Sequence, residues 1–291
     1  MALLVFDIGG TSVKYAIWEK EELVEKSSFE SPSTWEEMKN VMFTIKDTFV
    51  QQYELDGIAI SSPGAVNQVA RTIEGISALP YLHHFPIYDE LETLFSLPVS
   101  IENDANCSAL AEVWKGAAKE KQNVLFVVIG TGIGGSVIVE KKVQRGAHLF
   151  GGEFGIMLLN EKETFSQLGT TVALAKRYNE RMDMTAMPID GRTVFDLAER
   201  GDDVAIEEVK KFYRYLSIGL FNLTYAFDPE VILIGGGVSS RPDLLEKLNS
   251  EIAILMEELE LDIFKPLLDV CMFKNDANLI GAVYNFKLKQ A

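Results

Sequence analysis

VFDIGGTSVKYAIW, Val5 to Trp18, sets a run of strand-forming residues on either side of Asp-Ile-Gly-Gly-Thr. β-Branched and aromatic residues dominate both runs, so each reads as a strand and the glycines as the turn that joins them. One reading of the turn is structural, because glycine tolerates the positive φ that a two-residue hairpin turn needs. The other is chemical. Gly9, Gly10 and Thr11 offer backbone N–H groups that phosphate oxygens can approach, and Asp7 at the strand end can orient Mg²⁺ through water.

The design recurs. NVLFVVIGTGIGGSVIVEKK, residues 123 to 142, is again an apolar strand, a Gly/Thr-rich turn and an alternating strand. GTGIGG satisfies the dinucleotide-binding pattern G-x-G-x-x-G, and Glu153 lies downstream at a spacing that suits a ribose contact. That fingerprint requires a helix after the glycines, whereas SVIVEKK alternates as a strand, so the phosphate-turn reading is preferred. A third turn, Gly235-Gly236-Gly237, follows the strand VILI and precedes a helix expected from about Arg241. A nucleotide can lie against such a backbone, although an ordinary strand-to-helix turn reads the same way.

Outward from these turns, strands are predicted at 3–7, 12–18, 22–28, 56–62, 99–103, 231–235 and 268–273, besides the second hairpin. Helices are predicted at 33–52, 105–117, 170–181, 204–226, 241–259 and 276–288 from apolar residues at helical spacing. Two similar α/β lobes result. The N-terminal lobe spans residues 1–119, with 276–291 crossing back onto it, and the C-terminal lobe spans 120–275.

Single cores seldom grow much past about 200 residues, so a chain of 291 suggests two domains, which agrees with two lobes. Lys and Arg number 27 against 43 Asp and Glu, a net charge of -16. That charge argues against nucleic acid and anionic membrane surfaces as partners. A nucleotide would also be repelled at long range, so its site must rely on local N–H groups and a cation. Cys107 and Cys271 are far apart and outside any C-x-x-C pair, so neither a disulfide framework nor a zinc site is expected. No export signal or membrane span is recognisable, and a cytoplasmic location is expected.

SIENDANCSAL places Asp104 between a strand end and a helix start. It reads either as a helix cap or as the base that accepts a proton from a substrate hydroxyl, with Asn103 binding a neighbouring hydroxyl. Nearness to a helix N-terminus favours the ionised carboxylate that a base requires.

In order, DIGGT, SPG, ENDAN, GTGIGG, GGE and IGGGVS make the chain resemble the ROK family (repressor, open reading frame, kinase) of sugar kinases, over about Leu3 to Asn285. The resemblance implies a two-lobed, actin-like (RNase H-like) ATPase fold with the active site in the cleft between lobes, and usually a homodimer. It implies transfer of the γ-phosphate of Mg-ATP to a hexose hydroxyl, O6 being expected. Asp104 then matches the catalytic base; Asn103, Gly64 and Glu153 match sugar-site positions. Gly10, Thr11, Gly130, Thr131 and Gly132 match the phosphate turns, Gly236 the adenosine segment, and Lys14 a basic residue just past the threonine.

Two departures matter. Many relatives carry G-E-x-G-H and then a cysteine-rich zinc motif, but Ile156 stands in place of that histidine and no cysteine follows until Cys271. No zinc site is therefore expected, and a contact near sugar O1 or O2 changes. A substituent at C1 or C2 tolerates Ile156 better than a free hydroxyl does. The candidates are glucose, a β-glucoside or an N-acylhexosamine such as N-acetylmannosamine, with the aromatic loop Tyr81 to Phe85 as a surface for the extra group. The competing readings are a non-catalytic sugar sensor and a transcriptional regulator. The regulator is disfavoured because only six residues precede Asp7.

Overall fold

The structure is a computed structural model and describes residues 1–290. The chain divides into two units. Unit 1 comprises Met1–Lys119, Arg145–Phe150 and the chain from Asn275 on; unit 2 comprises Glu120–Gln144 and Gly151–Lys274.

Unit 1 begins with the antiparallel meander β1 (Ala2–Ile8), β2 (Ser12–Glu19) and β3 (Glu22–Glu30). Helix α1 (Trp35–Phe49) follows, its start fixed by the Thr34 hydroxyl accepting the Glu37 N–H, with Met38 and Met42 turned into the core. Next come β4 (Leu55–Ser62), the short hairpin β5 (Ala65–Asn67) and β6 (Thr72–Glu74), α2 (Ile87–Phe95), β7 (Val99–Asn103) and α3 (Asp104–Lys115). The sheet order is β3-β2-β1-β4-β7, with β4 and β7 parallel to β1. Every residue of β1 is buried, as a central strand covered on both faces requires.

Register matters more than order here. Asp7 lies opposite Lys14 on β2 and Ser61 on β4, and Ser61 and Ser62 lie opposite Glu102 and Asn103 on β7. The polar residues of four strands therefore collect at one end of the sheet.

Unit 2 repeats the plan with β8 (Val124–Ile129), β9 (Ile133–Val139) and β10 (Lys142–Val143), then helices α4 (Phe165–Gly169), α5 (Thr171–Arg181), α6 (Gly191–Glu199) and α7 (Asp203–Phe227). Strand β11 (Val231–Gly235), α8 (Leu244–Glu258) and β12 (Leu268–Val270) complete it. Its sheet runs β10-β9-β8-β11-β12 with the same parallel and antiparallel pairings as unit 1. Helix α9 (Ala277–Gln290) belongs to unit 1 and lies against α3. The two helices touch so closely that a Cβ on Gly281 would sit 1.7 Å from the Cys107 carbonyl oxygen.

Two expectations change. Residues 145–150, read within the C-terminal lobe, group with unit 1, because the Arg145 guanidinium donates to the buried Glu102 carboxylate. The helix expected from about Arg241 begins at Leu244, since Gly237–Ser240 winds first into a 3₁₀ turn. No described helix is long and apolar enough to cross a membrane.

Candidate active site

In unit 1 the first glycine turn links β1 to β2. Gly9 N–H donates to the Ser12 carbonyl at 3.0 Å, and Gly10 and Thr11 are exposed. None of these glycines has a positive φ, so the hairpin does not need them for that reason. Gly10 is required by space instead, since a Cβ there would lie 2.8 Å from Cβ of Ala78.

Asp7 ends β1 and is buried. Its Oδ1 accepts from Ser61 Oγ at 2.8 Å and from Asn278 Nδ2 at 3.0 Å, while Oδ2 faces Lys14 Nζ at 3.8 Å. Asn278 is delivered by α9 and is itself held by Ser108 Oγ. One carboxylate oxygen is thus fixed and the other faces only a distant cation. That would suit a magnesium ion bound by phosphates and water and reached by one protein carboxylate through water. Among the described residues no group of three or more His, Cys, Asp or Glu side chains is arranged to hold a metal unaided.

Asp104 opens α3, but it is not the cap. Asn103 caps the helix through its side-chain oxygen and the Asn106 N–H, while its Nδ2 donates to the Gly64 carbonyl at 3.0 Å. The Asn103 side chain also hydrogen-bonds the Asp104 carboxylate. Gly64 sits at φ +96°, and a Cβ there would meet Ile73 Cγ2 at 2.7 Å and His83 Cε1 at 2.8 Å. Glycine is needed at this position on both counts.

The Asp104 carboxyl accepts from the Ala105 N–H at 2.8 Å. Burial raises its pKa above the ordinary 3.8, the Ala105 N–H opposes the rise, and the negative charge of Asp7 adds to it. The residue is mostly but not fully buried, so the carboxyl is crowded without being sealed from a ligand. The helix N-terminus does not win here. A carboxylate with a raised pKa is a stronger base than an ordinary one, which serves proton abstraction.

Glu102, fully buried beside Asn103, was not anticipated from the sequence. It accepts from the Asn103 N–H at 3.0 Å, Asn106 Nδ2 at 3.0 Å and Gln68 Nε2 at 2.9 Å, and pairs with Arg145. These bonds tie β7, the start of α3 and segment 145–150 together. The acidic residue before Asn-Asp was the only local signal for it.

In unit 2 the second glycine turn links β8 to β9. Gly130 N–H donates to the Gly132 carbonyl at 2.9 Å, and Gly130, Thr131 and Gly132 are exposed. A Cβ on Gly130 or Gly132 would meet nothing closer than 4.0 and 3.5 Å respectively. The fold leaves room for a side chain at both positions, so their glycines point to a ligand. Gly236 differs: at φ +87°, a Cβ there would lie 2.2 Å from the Ile129 carbonyl oxygen.

Beside these turns lies a cavity of about 790 Å³, lined among others by Gly130, Thr131, Lys176, Asn179, Arg192 and Gly237. Its volume falls in the range of ligand sites and its glycine rim suits phosphates, so it fits a nucleotide. The helix residues that line it escaped the sequence reading.

Glu153 is exposed in unit 2, in a segment seated by Gly152 (φ +97°), whose missing Cβ avoids the Gly135 carbonyl at 2.4 Å. Ile156 is 66% exposed and so stays out of the core. Gln167, the residue best placed in sequence to substitute for the missing histidine, has its side-chain oxygen committed to the Thr164 N–H at 2.8 Å. The loop Tyr81 to Phe85 turns out to be packing. Tyr81 OH donates to Pro32 O at 2.7 Å, and Phe85 packs on Trp35 with ring centres 5.4 Å apart.

A family model described as the ROK family matches residues 3–288. The chain is 34% identical to a β-glucoside kinase from Klebsiella pneumoniae, over 98% of this chain and 96% of that protein. It is also 34% identical to one from Listeria monocytogenes, over 98% and 97%. Among solved structures, a ROK family protein from Streptococcus pneumoniae TIGR4 in complex with sucrose superposes with a TM-score of 0.91 at 36% identity, covering 100% of this chain and 99% of that one.

Proposed function

Because this chain belongs to the ROK family, we propose that it is an ATP-dependent sugar kinase whose preferred acceptor is the glucosyl unit of a β-glucoside. The observation that carries the reading is the row of Asp7, Asn103 and Asp104 at one end of the unit 1 sheet, with a single glycine, Gly64, bonded into it. A primary hydroxyl, O6 of the ring, attacks the γ-phosphorus of ATP while the bond to the ADP oxygen breaks. Its proton passes to Asp104, late in the step because the hydroxyl is a far weaker acid than the carboxyl. Asn103 holds a neighbouring hydroxyl, and Glu153 supplies a further acceptor.

The nucleotide is assigned to the unit 2 cavity, with phosphates against Gly130, Thr131 and Gly132 and the adenosine towards Gly236 and Gly237. Gly9, Gly10 and Thr11 receive the terminal phosphate, and Lys14 offsets the charge gathered beside Asp7. Magnesium, when bound, neutralises the phosphate charge and meets Asp7 through water.

Two observations support the β-glucoside: the named activity of the relatives at 34% identity and the exposure of Ile156. An apolar side chain offers a free anomeric hydroxyl no partner, and suits the apolar surface of a group attached there. Assay of ADP release from Mg-ATP with cellobiose, glucose and N-acetylmannosamine tests the proposal. ADP release with none of the sugars, despite sugar binding, would establish the sensor instead. A preference for glucose above about 100-fold over both others would remove the β-glucoside.

A further inference from the structure

We propose that residues 145–150 form a specificity loop for the part of a β-glucoside beyond its glucosyl ring, with the face of Phe150 as its stacking surface; this rests on the sugar-kinase reading above.

Anchorage comes first. Arg145 pairs with Glu102, and Glu102 accepts the N–H of Asn103, so the loop starts two hydrogen bonds away from the residue assigned to the sugar. Five residues reach at most about 17 Å, which keeps Phe150 within range of a disaccharide whose first ring touches Asn103. The grouping is the second observation: 145–150 belongs to unit 1, although the residues on either side of it belong to unit 2.

Conformation and exposure supply the third. Leu149 adopts φ +65°, a left-handed backbone that a bulky side chain avoids unless its surroundings impose it. The next side chain, Phe150, is 59% exposed, while Tyr81 and Phe85, the other aromatics considered for this task, pack against the unit 1 core. An aromatic face turned to solvent on a segment anchored at Glu102 matches the apolar C–H face of a second pyranose ring. A monosaccharide does not extend to it.

The test is a comparison of kcat/KM for cellobiose and for glucose in the parent, Phe150→Ala and Phe150→Tyr. Phe150→Ala is expected to lower the cellobiose value about tenfold and leave glucose within twofold, and Phe150→Tyr to keep both near the parent. A loss of equal size on both sugars, or no loss on either, overturns the specificity loop. So does a parent that phosphorylates glucose and no β-glucoside, which leaves the kinase reading standing. A parent inactive on every sugar overturns both.

Discussion

Replacing Asp104 by Asn tests the chemical core of the proposal because activity and stability should move in opposite directions. Asn keeps the shape of the side chain, and its oxygen still accepts the Ala105 N–H that Asp104 holds at 2.8 Å. What disappears is the ability to take a proton. General-base help accounts for about 10²–10⁴ in rate, or ~2.7–5.4 kcal/mol of barrier, so kcat for ADP release should fall by at least ~10²-fold while sugar KM changes little. Stability follows the raised pKa. A carboxyl whose pKa is higher folded than unfolded stabilises fully below its unfolded value and loses that contribution as pH rises through the folded value. At neutral pH the ionised Asp104, crowded by burial and by Asp7, therefore opposes folding, and the Asn variant should melt at the same temperature as the parent or higher. In the parent, log kcat should fall on the acid side with a midpoint above 3.8. Activity within a few-fold of the parent, or a marked drop in melting temperature with activity lost in proportion, would refute the reasoning.

The glycines make a paired test. Gly132→Ala has room for its methyl and should fold normally with a raised KM for ATP, whereas Gly236→Ala, at φ +87° with its Cβ 2.2 Å from a carbonyl, should lose stability outright. Equal melting temperatures for the two would contradict the difference in packing. Gly64→Ala combines a left-handed residue with two close contacts, and its cost should reach about 2–5 kcal/mol by denaturant titration. A cost under about 1 kcal/mol would show that the β5–β6 hairpin yields freely. Asp7→Asn should raise the Mg²⁺ needed for half-maximal rate by about 10–100-fold, the usual effect of losing an outer-sphere partner. An unchanged magnesium titration would remove Asp7 from that role.

Sequence made the glycine turns and the strands around them legible because period-two alternation flanked by Gly is a local signal, and both sheets depend on it. Asn103 and Asp104 were readable for the same reason, standing at a strand end. Helix α2 was hidden because its core residues Ile87, Tyr88, Leu91 and Phe95 are mostly of strand-favouring or aromatic type and follow a proline. Partners distant in sequence left no trace: Asp7 is held by residues 54 and 271 positions away, and Arg145 finds Glu102 across 43. The unit 2 cavity draws its lining from α5, α6 and the turns, and no periodicity within one element announces such convergence.

Helix α9 also bears on how the molecule is made. It covers the sheet face formed by Leu3, Val5, Ala16 and Ala59, packing Leu279, Ala282, Val283 and Phe286 against them. On a ribosome, all of unit 2 emerges before that helix does. The first sheet must therefore wait with one apolar face only partly covered and with Asp7 lacking Asn278, while the later-born unit 2 already has its whole sequence. Unit 1 begins first and is completed last. A nascent chain stalled before Ala277 would hold the whole sequence of unit 2 and an incomplete unit 1, exposed to chaperones and proteases.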